Sequence, residues 1–352
     1  MSFLPSSGWI AVRKITLLIC FATGLIACSD PQMQEATISG SIMGTTYSVK
    51  LVTEQPIQQA SLEDIEKGIQ NRLDEIDTLM STYKADSEVT RFNALAPGKE
   101  FVVSEKTFEL ISRSVELNQL TNGFFDISVS PLVDLWGFGS TENGVFNQVV
   151  PEQHDLDQVI AKIGMTKLVL NEAKQSVSKT SAIEIDLSAI AKGYAVDQVA
   201  GFLDGFFLKN YLVEVGGELR VKGLNKSFKP WSLGIETPDV LARKAHSIVT
   251  ATSGALATSG DYRNYFEQDG VRYSHLIDPT TYAPVTHKLA SVSVLSGNCA
   301  DADALATALM VMGETKGLEF ARQNKLDAMF IYRQNDSYEV AYSGRFSEYL
   351  VN

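Results

Sequence analysis

The sequence predicts an α+β fold with mixed or antiparallel sheets and packed helices, and three observations carry that expectation. Apolar residues recur at spacings of three and four over residues 61–80 but alternate over residues 211–221, so helical and strand periodicities are both present. Helix-like and strand-like stretches follow one another without a regular β-α alternation, which excludes a doubly wound parallel sheet. Neither a Gly-x-Gly-x-x-Gly junction nor a Lys-bearing phosphate loop occurs, which argues against a dinucleotide-binding Rossmann enzyme and an NTPase.

The first 27 residues are read as processing signal and not as fold. They carry Arg13 and Lys14 ahead of the apolar run 15–26 and hold no acidic residue, the pattern of an export signal. The run is too short for a stable membrane span. It stops at Leu25-Ile26-Ala27-Cys28, which resembles the lipobox of bacterial lipoproteins, where the cysteine becomes the acylated, palmitate-bearing first residue. The expected organisation is a signal peptide over 1–27, a lipidated tether over 28–36 and a folded domain over 37–352. Acyl chains at Cys28 would hold the protein to the periplasmic face of a bacterial membrane, each buried methylene contributing about 0.8 kcal/mol. Ser29 after the cysteine leans toward the outer membrane, and Asp30 weakens that inference.

Of three cysteines, Cys20 leaves with the signal and Cys28 is acylated, so Cys299 is the lone thiol and no intramolecular disulfide is expected. With 42 acidic against 30 basic residues the formal net charge is −12, and losing Arg13 and Lys14 makes it more negative. Nucleic acid is therefore not an expected partner. A polyphosphate ligand would need local donors and a divalent cation to offset the repulsion.

Within the folded part, residues 37–51 are β-prone and broken by Gly40 and Gly44, giving strand, turn and strand, with Met43 in the break. Residues 61–80 place Leu62, Ile65, Ile69, Leu73, Ile76 and Met80 on one helical face, with Ser61 and Asp64 as a capping box. Residues 81–93, including Tyr83, read as a loop leading into a short helix. A second amphipathic helix follows Ser104 and ends at Asn122-Gly123. Residues 123–139 hold Phe124, Phe125, Trp136 and Phe138, which suit either a wall for a planar ring or core. Residues 140–180 read as a variable loop, a short helix around 156–163 and a hairpin.

Residues 182–197 form the centre of the site as read from the chain. Ile183, Ile185 and Leu187 alternate as in a strand ending at Asp186-Leu187, and Ser188 offers a helix cap before Ile190, Val196, Val199 and Leu203. A strand running into a helix N-terminus beside Lys192 is a seat for phosphate. Residues 211–221 read as a strand interrupted by Gly216 and Gly217, and residues 251–263 are small and hydroxyl-rich, both suited to close approach of a ligand. His275 stands in a strand that ends in a proline turn, as a general base, a phosphate donor or a structural residue. His154, His246 and His287 show no metal-ligand spacing. Residues 298–313 read as a helix stopped by Gly313, in which Asp303 and Thr307 share one face. Two hard oxygens in an apolar helix suggest Mg²⁺, against the plainer reading of dipole compensation by Asp301 and Asp303.

The set Met43-Gly44-Thr45, residues 80–93, Phe125-Asp126-Ile127 to Gly139, residues 186–197, Glu214-Val215-Gly216-Gly217-Glu218, Ser259-Gly260-Asp261-Tyr262, residues 275–279 and Asp303 to Thr307 resembles, in order and over nearly the whole mature chain, the ApbE family of FAD:protein FMN transferases. The resemblance implies two intimately packed lobes with the flavin between them. It implies a Mg²⁺-dependent enzyme that splits FAD, transfers FMN to a Thr or Ser hydroxyl of a partner protein and releases AMP. It places flavin-nucleotide contacts at Met43, Tyr83, Phe124, Phe125, Asp126, Asp186 and Lys192, and the metal at the Ala189 carbonyl, Asp303 and Thr307. His275 is a candidate for the base or for positioning substrate, and Asp301 either assists the metal or caps its helix. Acceptors are expected among subunits of membrane redox complexes. An FAD pyrophosphatase giving FMN and AMP, and a non-catalytic flavin-binding lipoprotein, are the alternatives.

Overall fold

A tight hairpin starts the fold. β1 (Gln34–Ile42) and β2 (Thr45–Thr53) pair antiparallel with Ile42 opposite Thr45, and the two turn residues Met43 and Gly44 have φ of 50° and 71°, the left-handed pair that suits the twist of the strands. This computed structural model describes residues 33–139, 150–239, 244–262, 264–335 and 337–351. The signal peptide, Cys28, most of the tether and loop positions 140–149 lie outside the described residues. β1 begins ahead of residue 37, because Gln34, Glu35 and Ala36 pair with Thr53, Val52 and Leu51.

α1 (Gln59–Met80) buries Ile65, Ile69, Leu73, Ile76 and Met80. It starts earlier than expected, with Gln58 and not Ser61 at the cap position and no side-chain cap. α2 (Glu88–Asn93) is capped by Ser87, and α3 (Glu105–Leu120) by Ser104, each hydroxyl accepting from a backbone N–H in the first turn. Asn122 and Gly123, both at positive φ, end α3 as read. The short strand β3 (Phe101–Val102), α4 (Ser130–Leu135) and α5 (Gln153–Ile160) lead to the hairpin of β4 (Leu168–Asn171) and β5 (Ser176–Lys179), with β3 on the outer side of β5.

Residues 182–187 correct an expectation. They are extended, with Ile183, Ile185 and Leu187 fully buried in alternation, but they belong to no sheet. Asn93 takes the place of a neighbouring strand, its side chain accepting from Ile185 N and donating to Ile185 O, while Asp186 N donates to Ile127 O. Ser188 does not cap the helix. A turn intervenes, and α6 (Ala191–Gly205) begins after Ile190.

β6 (Asn210–Val215) and β7 (Glu218–Lys222) are two strands of a hairpin, not one interrupted strand, with Gly216 and Gly217 as the turn at φ 64° and 106°. β8 (Trp231–Glu236) pairs with β9 (Ala245–Ala251), then come β10 (Ser253–Gly260), the β11 (Tyr265–Gln268) and β12 (Val271–Ser274) hairpin, β13 (Ile277–Asp278), β14 (Ala283–Pro284) and β15 (Leu289–Ser296). α7 (Cys299–Gln323) does not stop at Gly313. That residue adopts φ 77° and ψ 179° and interrupts the helix, which then resumes. β16 (Asp327–Gln334) and β17 (Ser337–Ser343) close the chain.

The main sheet has eight strands in the order β1-β2-β6-β7-β10-β15-β16-β17, every neighbouring pair antiparallel. One face carries the largest apolar cluster, in which α1, α6 and α7 pack on side chains such as Val49, Val213, Ala257 and Val292. On the other, β8 and β9 cover Val52, Val221, Met329 and Ile331. A third cluster joins Leu132, Trp136, Phe138, Phe266 and Ile277, with Trp136 stacked on Tyr273 at 5.6 Å. The α+β expectation with a large antiparallel sheet and packed helices holds.

The tightest contact in the molecule that bears on function is between α6 and the start of α7. A Cβ on Gly193 would stand 2.3 Å from the Cys299 carbonyl oxygen and 2.9 Å from Ala300 Cα. Gly193→Ala is therefore expected to lower stability by about 2–3 kcal/mol, despite the better helix propensity of alanine. A urea titration with unchanged slope and a shifted midpoint measures it, and an unshifted midpoint contradicts the close packing.

Candidate functional site

The end of the main sheet at the β6–β7 turn, the N-terminal turns of α6 and α7, and the segment 124–133 enclose a cavity of about 470 Å³, within the range of small-molecule sites. Phe124, Phe125 and Val129 form an apolar side, while Thr258, Ser259 and Gly260 of β10 leave room for close approach of a ligand. Asp126, Asp186, Lys192, His275, Asp303 and Thr307 all line it, as do Ser188 and Ala189. The chain thus brings together nearly all the residues singled out from sequence. Met43 and Tyr83 are not among the lining residues: Met43 occupies the β1–β2 turn, and Tyr83 is 78% exposed.

The aromatic segment serves both readings weighed for it. Phe124, half-buried, faces the cavity, whereas Phe125, though on the cavity lining, is fully buried in the main apolar cluster, and Trp136 and Phe138 are buried in the third, where Phe138 lies 5.4 Å from Phe266. Lys316 lies over the Phe124 ring at 4.6 Å, a cation–π contact that orients the ring from behind.

Two Asp-x-Ser turns build the rim next to it. Asp126 Oδ1 accepts from the backbone and hydroxyl of Ser128, and Asp186 Oδ1 does the same with Ser188. One oxygen of each carboxylate is thereby spent on holding its own loop. The Asp186 N to Ile127 O bond ties the two turns together. Burial pushes the Asp126 carboxyl above its ordinary range, against the pull of its Ser128 bonds.

At the floor, Lys192 Nζ lies 3.4 Å from Glu218 Oε1 and 3.6 Å from Asp303 Oδ2, and Gly193 N donates to Asp303 Oδ2 at 3.0 Å. Glu218 and Asp303 are both nearly fully buried. Burial alone would pull the Lys192 ammonium down, but Asp303 and Glu218 outweigh it and keep the amine charged. Burial and the neighbouring Asp303 push Glu218 up to about 8, and burial raises Asp303 against the opposing effects of Lys192 and the Gly193 N–H. With its pKa pushed up to about 8, Glu218 holds a proton at neutral pH while Lys192 balances Asp303; a bound cation would replace that proton, and Glu218 Oε2 is buried without a hydrogen-bond partner. Thr307 lines the same cavity, and carboxyl, hydroxyl and carbonyl oxygens are the donor types that suit a hard divalent cation. Among the described residues no cluster of three or more His, Cys, Asp and Glu forms a metal site without such help from backbone and hydroxyl oxygens.

Asp301 is not at this site. It accepts from Arg113 Nε at 2.7 Å and Arg113 Nη2 at 2.8 Å on the outer side of α7, and Asn298 caps the helix by accepting from Asp301 N. Asp197, one turn beyond Lys192 on α6, instead accepts from Cys299 N and Ala300 N at 2.8–2.9 Å and pairs with Arg220. It anchors the first turn of α7 against α6. Cys299 is fully buried, and burial pushes its thiol well up, so it is inert core.

His275 is half-buried, with its Nδ1–H donating to the Asn264 carbonyl at 3.0 Å, which leaves Nε2 as an acceptor. Burial holds this imidazole below its usual pKa, so it is neutral at pH 7. Sequence reasoning missed Glu218 as a site residue, although a glutamate directly after paired glycines at a buried strand position was a visible signal. Tyr262, which stood in a stretch read as suited to ligand approach, also lines the cavity, as does Asn264, which carried no signal of its own.

An aromatic side, small-residue strands and a buried ammonium between carboxylates define an enzyme-type site for a planar, phosphorylated ligand. The family model described as the ApbE family matches residues 43–330. An FAD:protein FMN transferase of Vibrio cholerae is 41% identical over 326 residues, covering 93% of this chain and 96% of its own. Its counterpart in Haemophilus influenzae is 38% identical over 337 residues, covering 94% and 96%. In three dimensions the flavin transferase ApbE from Vibrio cholerae matches with a TM-score of 0.81 at 40% identity, over 90% of this chain and all of that one. The apo form of Pseudomonas stutzeri flavinyl transferase ApbE also gives 0.81, at 36% identity over 90% and 97%. The chain belongs to the ApbE family.

The Glu218 shift has a consequence for stability. An unfolded glutamate titrates near 4.5, and the folded one near 8, so the folded state holds the proton more tightly. The stability this group lends is complete below about pH 4.5 and is lost as pH rises through about 8. In chelator, the urea midpoint should therefore fall across that window, and Glu218→Gln should remove much of the slope. An unchanged slope in the variant would sink the assignment.

Proposed function

We propose that this chain is a Mg²⁺-dependent FAD:protein FMN transferase that moves the FMN half of FAD onto a Thr or Ser hydroxyl of a target protein and releases AMP, at the periplasmic face of a bacterial membrane to which Cys28 attaches it. The observation that carries the reading is the buried Lys192, Glu218 and Asp303 cluster beneath a cavity with one aromatic side. Attack on a pyrophosphate phosphorus asks mainly for positioning and charge neutralisation, and little covalent chemistry of the protein.

The Ala189 carbonyl, Asp303 and Thr307 would hold Mg²⁺, whose charge, when bound, offsets that of the pyrophosphate. Phe124 offers apolar ring surface to the flavin, with Phe125 packed in the core beneath the lining, and Asp186 keeps one oxygen for polar groups of the nucleotide, with Asp126 beside it on the rim. Lys192 neutralises phosphate oxygens. The acceptor hydroxyl oxygen forms a bond to the phosphorus of the FMN half while the bond to the AMP oxygen breaks. His275 Nε2, neutral and free to accept, takes the hydroxyl proton.

The test is incubation of the protein with FAD, Mg²⁺ and a candidate acceptor, followed by intact-mass analysis of the acceptor with and without chelator. A chelator-sensitive gain of one FMN is expected, and Asp303→Ala should lower the rate about a hundredfold or more with the fold retained. Free FMN and AMP beside an unmodified acceptor would point to hydrolysis instead. Full activity of the Asp303→Ala protein would remove the metal assignment.

A further inference from the structure

The end of the main sheet away from the cavity carries a surface that the transfer reaction does not use. Gln34 lies opposite Thr53, Val52 opposite Asn210, and Tyr211 opposite Lys222, so the start of β1, the end of β2, the start of β6 and the end of β7 meet there. Phe206 and Phe207 lie on the connection from α6 into β6, and Phe228 is on the turn that follows β7. That turn is pinned beside them, since Leu224 N donates to Asn210 Oδ1 at 2.8 Å and Lys226 reaches Glu35 at 3.7 Å.

Three phenylalanines stand in water at this end: Phe207 is 89% exposed, Phe228 47% and Phe206 44%. Phe206 is braced edge-on against Phe202 at 4.9 Å. Phe207 and Phe228 both have φ of 57°, a left-handed conformation that is costly for a bulky residue and persists only where the surroundings impose it. On these connections Lys222 pairs with Asp204 at 2.7 Å and Lys226 with Glu35 at 3.7 Å, while Lys209 and Lys229 add positive charge next to Phe207 and Phe228.

We propose that this end is a membrane-docking surface, in which Phe207 and Phe228 enter the headgroup region of an anionic bilayer and the neighbouring lysines meet lipid phosphates. It rests on the reading of Cys28 as acylated. Gln34 follows Cys28 by six positions, so the chain between them spans at most about 20 Å. A chain attached at Cys28 therefore keeps this end of the sheet near its point of attachment. Gly216 and Gly260, which line the cavity, stand at the opposite end, and β6 alone separates Asn210 from Gly216 by about 20 Å. Docking thus holds the cavity clear of the lipid.

The full lipidated chain, reconstituted in vesicles of phosphatidylethanolamine and phosphatidylglycerol with brominated acyl chains, tests this by tryptophan quenching. The native Trp136 and Trp231 are buried. Phe207→Trp and Phe228→Trp are compared with Val169→Trp, an exposed site on β4. The first two should be quenched about twofold more than the third, as expected for side chains within the headgroup and acyl boundary. Equal quenching at all three in a chain that floats with the vesicles overturns the docking surface while leaving the anchor. A chain that does not float overturns both. Shielding of Phe207→Trp only by an added protein, without lipid quenching, assigns the surface to a protein partner and overturns the proposal.

Discussion

Everything at the site depends on how closely α6 approaches the first turn of α7. With no side chain at Gly193, two helix backbones come within contact distance, and the Gly193 N–H reaches the Asp303 carboxylate directly. Asp197 then closes the arrangement from behind by accepting from Cys299 N and Ala300 N, donors that the helix itself leaves unpaired. One short stretch of α6 therefore supplies the ammonium, the backbone donor and the clamp. Lys192, Gly193 and Asp197 work as a unit because the helical repeat sends them to adjoining parts of one junction.

This junction also explains why the charges stay buried. Glu218 and Asp303 would each prefer water, and the single ammonium between them balances only one, so Glu218 keeps its proton up to about pH 8. The sheet and helices around them, packed on an apolar cluster that runs from α1 to α7, supply the stability that such a site lacks on its own. The result is a rigid, buried cluster of one ammonium and two carboxyl groups at the floor of the cavity.

The sheet has a division of labour along its strands. At one end the glycine turn between β6 and β7 and the small residues of β10 admit a ligand. At the other, phenylalanines and lysines project from the connections. The antiparallel order makes this possible, because alternate connections fall at opposite ends of the sheet and are free to differ in chemistry.

Much of this was legible in the chain itself. The periodicity of Ile65, Ile69, Leu73 and Ile76 specified a buried helix face, and the Asp303 and Thr307 spacing placed two oxygens on one side of another, because both are consequences of local geometry alone. Local signals failed where a distant group supplied the partner. Residues 182–187 alternate like a strand, yet Asn93 satisfies the backbone that a strand would have paired. Asp301 looked from sequence like a neighbour of Asp303 and Thr307, but Arg113, from α3, holds it elsewhere. Glu218 gained its role only from Lys192 and Asp303, which the fold brings to it across the β6–β7 turn. The sequence by itself determined the elements, the family and most of the residues of the site, since these follow from repeats and motifs along the chain. Only the tertiary structure decided which carboxylates share the buried ammonium and which are held elsewhere, since a charge takes its chemistry from the neighbours that folding gives it.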